Sequence, residues 1–161
     1  MRAWVIERLE ADSPHLVDVA AWTYEAWGHL HPDSDLESWS KEVASLCGNG
    51  GVPSVFVAMR DGKPVGTASL SPDDMSIRQA YSPWLASVFV LPEQRGQGLA
   101  SALVRRVEDE AREHGVNRLY LYTPDQQSLY RRLGWRDLEE LSYRDEDVTV
   151  MYQSLQIHHL L

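Results

Sequence analysis

Residues Trp84 to Leu91 read Trp-Leu-Ala-Ser-Val-Phe-Val-Leu, an apolar run broken only by Ser87. A strand with one solvated face alternates apolar and polar side chains, so a run of this kind predicts a central strand covered on both faces. Pro92 and the stretch Arg95-Gly96-Gln97-Gly98 follow, and then a helix whose Ala100, Leu103, Val104, Val107 and Ala111 share one stripe. Arg105, Arg106, Glu108 and Asp109 fall largely opposite that stripe, and Gly115 ends the helix. The chain thus has to bury a strand from two sides and set a small glycine-rich turn between it and its helix.

The flanking sequence supplies the covering layers. Arg2 to Leu9 predicts a first strand, with Trp4 and Ile6 alternating with Val5 and Glu7. Ser13-Pro14 opens a helix, because a serine oxygen caps free amides and proline suits the first helical position. Its Leu16, Val17, Ala20, Ala21, Tyr24 and Trp27 recur at helical spacing. A second helix is expected over Asp35 to Leu46, closed by Gly48, after a loop His29-Leu30-His31-Pro32-Asp33. Ser54 to Arg60 and Pro64 to Leu70 read as strands joined by Asp61-Gly62, a strong hairpin signal. Ser71 to Ser82 is polar and irregular.

Beyond the central helix, Asn117 to Tyr122 is a further strand and Thr123 to Leu133 a short helix. Thr123 and Gln126 have the form of a capping box, Pro124 takes the first helical position and Gly134 closes the helix. Leu138 to Tyr143 and Val148 to Tyr152 make a last hairpin around Arg144-Asp145-Glu146-Asp147. No repeat, linker or low-complexity tract intervenes. Residues 1–161 therefore read as one α/β (α+β mixed) domain, a mixed sheet with helices on its faces.

Charge and cysteine usage narrow the partners. The net charge of -9, from 15 basic and 24 acidic side chains, makes the chain a poor general binder of nucleic acid. The same field favours a cationic small partner. No apolar run approaches a membrane span, and Met1 to Glu10 lacks the apolar core of a secretory signal. The single cysteine, Cys47, excludes an internal disulfide and fits a reducing compartment, so a cytoplasmic location is expected. No tight cluster of metal-binding residues stands out, and the terminal pair His158-His159 is the one weak candidate.

The glycine-rich turn carries the chemistry. The first amides of a helix lack internal partners and stand at its positive end. Gly96 and Gly98 let the backbone curl and leave room for a bulky anion, and Arg95 adds a cation. A plain strand-to-helix turn would permit the same glycines. A P-loop requires Lys and Ser/Thr after its last glycine, where this chain has Leu99 and Ala100. A dinucleotide loop requires a third glycine, where this chain has Ser101, and an acid about 20 residues on, where Val116 to Pro124 has none. Both of those readings fall.

Arg95, Gly98 and Ala100 match the pattern Arg/Gln-x-x-Gly-x-Gly/Ala, and a second block, Leu129-Tyr130-Arg131-Arg132-Leu133-Gly134-Trp135, follows on a short helix. In both blocks, in this order and on these elements, the chain resembles the GNAT (Gcn5-related) family of N-acetyltransferases. The resemblance is specific over about Ser82 to Trp135 and topological elsewhere. It implies a central, mostly antiparallel mixed sheet of about six or seven strands flanked by about four helices. It also implies acetyl-CoA as cosubstrate, with its pyrophosphate on the amides of Gly96, Gln97, Gly98, Leu99, Ala100 and Ser101 beside Arg95. The pantetheine arm would pair with the backbone of Val88, Phe89 and Val90, and an amide there, that of Val88, would hold the oxyanion. Tyr130 would return a proton to the departing thiolate.

One departure from the family concerns Thr123, which stands where many members carry asparagine and whose hydroxyl is expected to cap the helix instead. The general base is left open among Glu25, His29, His31, Asp33, Asp35 and water, with Asp73 and Asp74 on the other loop that could close over the site. Trp22, Trp27, Trp39 and Trp84 are expected in the core, one or two of them lining an acceptor slot. Cys47 lies outside both blocks, which favours direct attack by a primary amine of a small molecule in a ternary complex. Acetylation of a protein or peptide amine, and non-catalytic CoA binding by a sensor or scaffold, are the alternatives. Family members often dimerise, so a homodimer is expected without an identifiable interface.

Overall fold

Alternation along the strands decides how the layers assemble. In the computed structural model, which describes residues 4–155, β2 (Ser54–Arg60) sends Phe56 and Ala58 to one face and Val55, Val57 and Met59 to the other, all buried. It pairs antiparallel with β1 (Trp4–Arg8) and with β3 (Lys63–Ser71) across Asp61-Gly62. Both turn residues have positive φ, 53° and 77°, as a two-residue hairpin of the right twist demands. β4 (Trp84–Val90) continues the antiparallel order, β5 (Arg118–Thr123) runs parallel to it, and the hairpin of β6 (Arg136–Tyr143) and β7 (Glu146–Ser154) closes the sheet as β1-β2-β3-β4-β5-β7-β6.

Helices cover this seven-stranded sheet on both faces. On one face, α3 (Leu99–Glu113) packs Leu99, Leu103, Val104, Val107 and Ala111 against Phe56, Leu85 and Leu119. The short α4 (Gln127–Arg132) joins that cluster through Tyr130. On the other face α1 (Leu16–Trp27) and α2 (Leu36–Leu46) lie against Val55, Val57 and Met59. A third cluster, Met75, Trp84, Tyr143, Val148 and Val150, fills the α1 face beyond β4. None of the described helices is long and apolar enough to cross a membrane.

Local departures from the sequence reading have local causes. Ser13 accepts the His15 amide at 3.1 Å, but the regular helix begins only at Leu16. Asp35 caps α2 by accepting the Ser38 amide at 2.8 Å. Thr123 ends β5 rather than starting a helix; its Oγ1 accepts the Gln126 amide at 3.0 Å, and α4 begins at Gln127. Gln126 does not complete a reciprocal box, since its side chain turns to Asp125. The last hairpin turns on two residues, Arg144 and Asp145, both at positive φ, so β6 and β7 run longer than expected. Arg2 and His158-His159 lie outside the described residues.

The larger correction concerns α3. Glu108 does not face solvent: both it and Glu110 are 2% exposed, one on each flank of the apolar stripe. Glu108 accepts from Trp135 Nε1 at 2.9 Å, Gln153 Nε2 at 3.3 Å and Arg105 at 2.7 Å. Glu110 accepts from the Gly51 amide at 2.7 Å, Arg8 at 2.9 Å and Arg106 at 3.0 Å. The two carboxylates tie the helix to β7 on one side and to β1 and the loop before β2 on the other. Such hydrogen-bonded, multiply paired carboxylates are stable when buried, whereas removing one strands its partners.

Burial alone would push the Glu110 carboxyl up, but the Gly51 amide, Arg8 and Arg106 outweigh it and hold it at about 2 against an ordinary 4.5. The folded value is depressed, so the stabilisation is complete above the ordinary value and is lost as pH falls toward 2. A shift of this size corresponds to about 3 kcal/mol. Urea unfolding between pH 7 and pH 2 should show that loss in the wild type and a flatter profile in Glu110→Gln, which starts less stable; parallel profiles would contradict the assignment.

Candidate active site

β4 and β5 are in register at one pair only, Trp84 with Tyr120, reinforced by the Tyr120 amide donating to Pro83 O at 3.1 Å. Past that point the strands part, and the β5-facing edge of β4 has no ladder partner. The closed end of the split is packed with aromatics: Trp84 is fully buried, 5.8 Å from the Tyr120 ring and 6.1 Å from Tyr122. The open end is a cleft of about 470 Å³ lined by Ala86, Ser87, Val88, Thr123 and Tyr130 among others.

A bulge sits where the strands separate. Thr67 pairs with Phe89 and Ser69 with Ala86, so Ser87 and Val88 together oppose Ala68, and Ser87 takes a φ of 55°. The extra residue resets the alternation. Leu85, Val88 and Val90 all join the α3 cluster, while Phe89 points to α1, its ring 6.1 Å from Trp22 and 6.0 Å from Trp27. Without the bulge, Leu85 and Phe89 would share a face. The exposed Ser87 and half-buried Val88 both line the cleft.

From β4 the chain passes through a 3-10 turn, Pro92–Gln94, to Gly96 and Gly98 at φ of 80° and 85°. A Cβ on either glycine would meet no atom within 4 Å, so the requirement is conformational rather than steric. Gly98 is the N-cap of α3, and no side chain caps the helix. The first helical bond runs from Ala102 N to Gly98 O, which leaves the Leu99, Ala100 and Ser101 amides at an open helix mouth. Arg95 is drawn back onto the strand, its Nε donating to Val90 O at 2.9 Å and its guanidinium 5.7 Å from the Phe89 ring. Gln97 spends its side chain on Arg60, which also binds Gln94. Arg60 at the end of β2, stacked on Trp4, thus braces the loop, and nothing in its local sequence announces it.

Tyr130 lines the cleft, 7% exposed, its ring 6.0 Å from Trp135. Its hydroxyl has no hydrogen-bond partner among the described residues, and burial, then Asp125, pushes it up to about 12. It therefore stays protonated across the physiological range. Thr123 is committed to the Gln126 amide.

The candidate bases separate. Glu25, Asp33 and Asp35 are exposed and outside the cleft, and Asp35 is held below the usual range by the Ser38 amide it caps. His29 and His31 line it, with His31 lowered by burial and by Arg144. Trp27 and Trp39 line it too, while Trp22 and Trp84 belong to the core. Asp73, Asp74, Glu42, Asp125 and Glu146 add carboxylates, and no Lys or Arg is among the described lining residues. Cys47 lies elsewhere, its thiol pushed up to about 11 by burial and Glu10, which makes it a poor nucleophile. No cluster of His, Cys, Asp or Glu suited to a metal occurs among the described residues.

Known proteins share both pattern and shape. The family model for the acetyltransferase (GNAT) family matches residues 16–135. Human N-acetyltransferase 8B is 35% identical over 108 residues, 64% of this chain and 45% of that protein. Bovine thialysine N-epsilon-acetyltransferase is 35% identical over 71 residues, 38% of this chain and 42% of that protein. The match thus spans less than half the length of these curated relatives. An aminoglycoside 6'-N-acetyltransferase solved in complex with coenzyme A superposes with a TM-score of 0.77 at 16% identity, over 96% of this chain and 99% of that one. A parted strand pair, an uncapped helix mouth and a family match over most of the chain agree: this chain belongs to the GNAT acetyltransferase family.

Proposed function

We propose that the chain transfers an acetyl group from acetyl-CoA to a primary amine of a small molecule, by direct attack with both substrates bound. The observation that carries this reading is the single split between β4 and β5, which opens a carboxylate-lined cleft beside the strand that leads to the uncapped start of α3. The cosubstrate supplies an activated acetyl thioester. The residues present fit it: amides of Gly96 to Ser101 receive its pyrophosphate, with Arg95 holding the loop to the strand, and the free edge of Val88, Phe89 and Val90 receives its amide-bearing arm.

At the bulge, we assign the Val88 amide to the negative charge developing on the carbonyl oxygen. Tyr130, kept protonated by its burial, gives its hydrogen to the leaving sulfur. A phenol at about 12 is a weaker acid than a free tyrosine, so that hydrogen moves only as the thiolate forms and is replaced from the attacking nitrogen. Trp27, Trp39 and the α1–α2 loop give the acceptor side an aromatic wall, which supports a small-molecule acceptor.

Calorimetry with CoA, followed by thiol release across a panel of small amines and lysine-bearing peptides, tests the assignment. Small-amine turnover supports it, peptide-only turnover redirects it, and tight CoA binding without release reduces the chain to a binder. Gly98→Val, which forces a β-branched residue into left-handed backbone, should weaken CoA binding at least about tenfold while leaving the chain folded. Tyr130→Phe should lower kcat about a hundredfold with the KM for acetyl-CoA nearly unchanged; full activity in that variant removes Tyr130 from the mechanism.

A further inference from the structure

The segment between β3 and β4, residues 72–83, carries an unexplained carboxylate. The segment is well anchored. Ser71 Oγ donates to Asp73 O at 2.6 Å and Ser82 Oγ to Pro72 O at 2.7 Å. The Ser76 amide donates to Tyr143 Oη at 3.1 Å, Arg78 pairs with Glu139 at 2.7 Å, and Met75 is 2% exposed. Between these fixed points Asp74 faces the cleft, half-buried, and its carboxylate accepts no hydrogen bond and forms no ion pair among the described residues. The nearest interacting cation, Arg144, is turned away to donate to Leu30 O at 3.0 Å.

A rigidly held, unpaired carboxylate destabilises the fold and contributes nothing to it structurally, which is the mark of a group kept for a ligand. It caps no helix and closes no turn. Of the other lining carboxylates, Glu42, Asp73 and Asp125 are exposed at the rim, and Glu146, half-buried at the start of β7, is the one that shares the interior with Asp74. We propose that Asp74 is the residue that receives the acceptor as an alkylammonium and takes up its proton before attack. This rests on the transferase reading above.

The balance is simple. The ammonium N–H bond breaks toward Asp74, and the freed lone pair forms the N–C bond as the C–S bond breaks. The nitrogen's second proton replaces the one Tyr130 gives to sulfur, and Asp74 returns its own to water. One proton is released per turnover. The environment suits the role. Burial, only partly opposed by Arg144, pushes the Asp74 carboxyl up to about 8, near operating pH. Around it stand Tyr122 of β5, Tyr143 and Arg144 at the end of β6, Glu146 of β7, and His29, His31 and Glu42 across the cleft. None of them is itself placed as an ion-pair partner within reach of it.

The test compares ethylamine with the nearly isosteric trifluoroethylamine, which arrives largely neutral and has no ammonium proton to surrender to Asp74. With the full chain, Asp74→Asn should lower kcat/KM for ethylamine about a hundredfold or more and abolish a rising limb near pH 8. Trifluoroethylamine and CoA affinity should change less than about threefold. Removing an unpaired charge should also leave the unfolding midpoint at pH 9 no lower than in the wild type. Equal losses for both amines, an unchanged limb, or a lowered midpoint would overturn the assignment. Should the Asn variant fail to fold, Asp74→Glu decides: it must keep the limb at reduced rate, and its loss overturns the proposal. Wild-type thiol release with any amine upholds the transferase reading independently of these outcomes.

Discussion

Everything functional in this molecule follows from two parallel strands that pair once and then separate. Hydrogen-bonded strands lie about 4.8 Å apart and leave no space between them for a ligand. Pairing Trp84 with Tyr120 and nothing beyond opens the sheet without breaking it, because the aromatic packing of Trp84, Tyr120 and Tyr122 holds the closed end. The unpaired edge that results is ordinarily a liability. Here the part of it around Ala86 to Val88 lines a cleft instead of facing open solvent.

Two further devices depend on that opening. The bulge at Ser87–Val88 lies where β4 lines the cleft, and it keeps Val88 and Val90 on the α3 face where their packing is needed. The glycines before α3 leave its first amides without a side-chain cap, while Arg60, Gln94, Gln97 and Arg95 fix the loop that presents them. The buried Glu108 and Glu110 then hold α3 against both halves of the parted sheet, a stabilising role that apolar packing alone would leave to a narrower stripe.

The polar lining of the cleft is assembled from segments distant in sequence. The α1–α2 loop supplies His29 and His31, the segment after β3 supplies Asp74, and the last hairpin supplies Glu146. Among the sequence candidates for a base, Glu25 on α1, Asp33 in the loop and Asp35 at the cap of α2 are exposed and outside the cleft. Asp74 could be named as a loop acid from sequence, but its lack of a partner and its raised proton affinity exist only in the folded environment.

The sequence alone determined what short-range geometry can encode. Central strand β4, the Gly96–Gly98 turn, the stripe of α3 and the Asp61-Gly62 hairpin are each written within a few residues, because period, φ sign and capping are local properties. The two family blocks were legible for the same reason. Only the tertiary structure decided which strands part, which face of α3 buries two glutamates, that Arg60 braces the loop and that Asp74 stands unpaired. Those outcomes depend on groups tens of residues apart meeting in a low-dielectric interior, where a charge's meaning is set by its neighbours and not by its place in the chain.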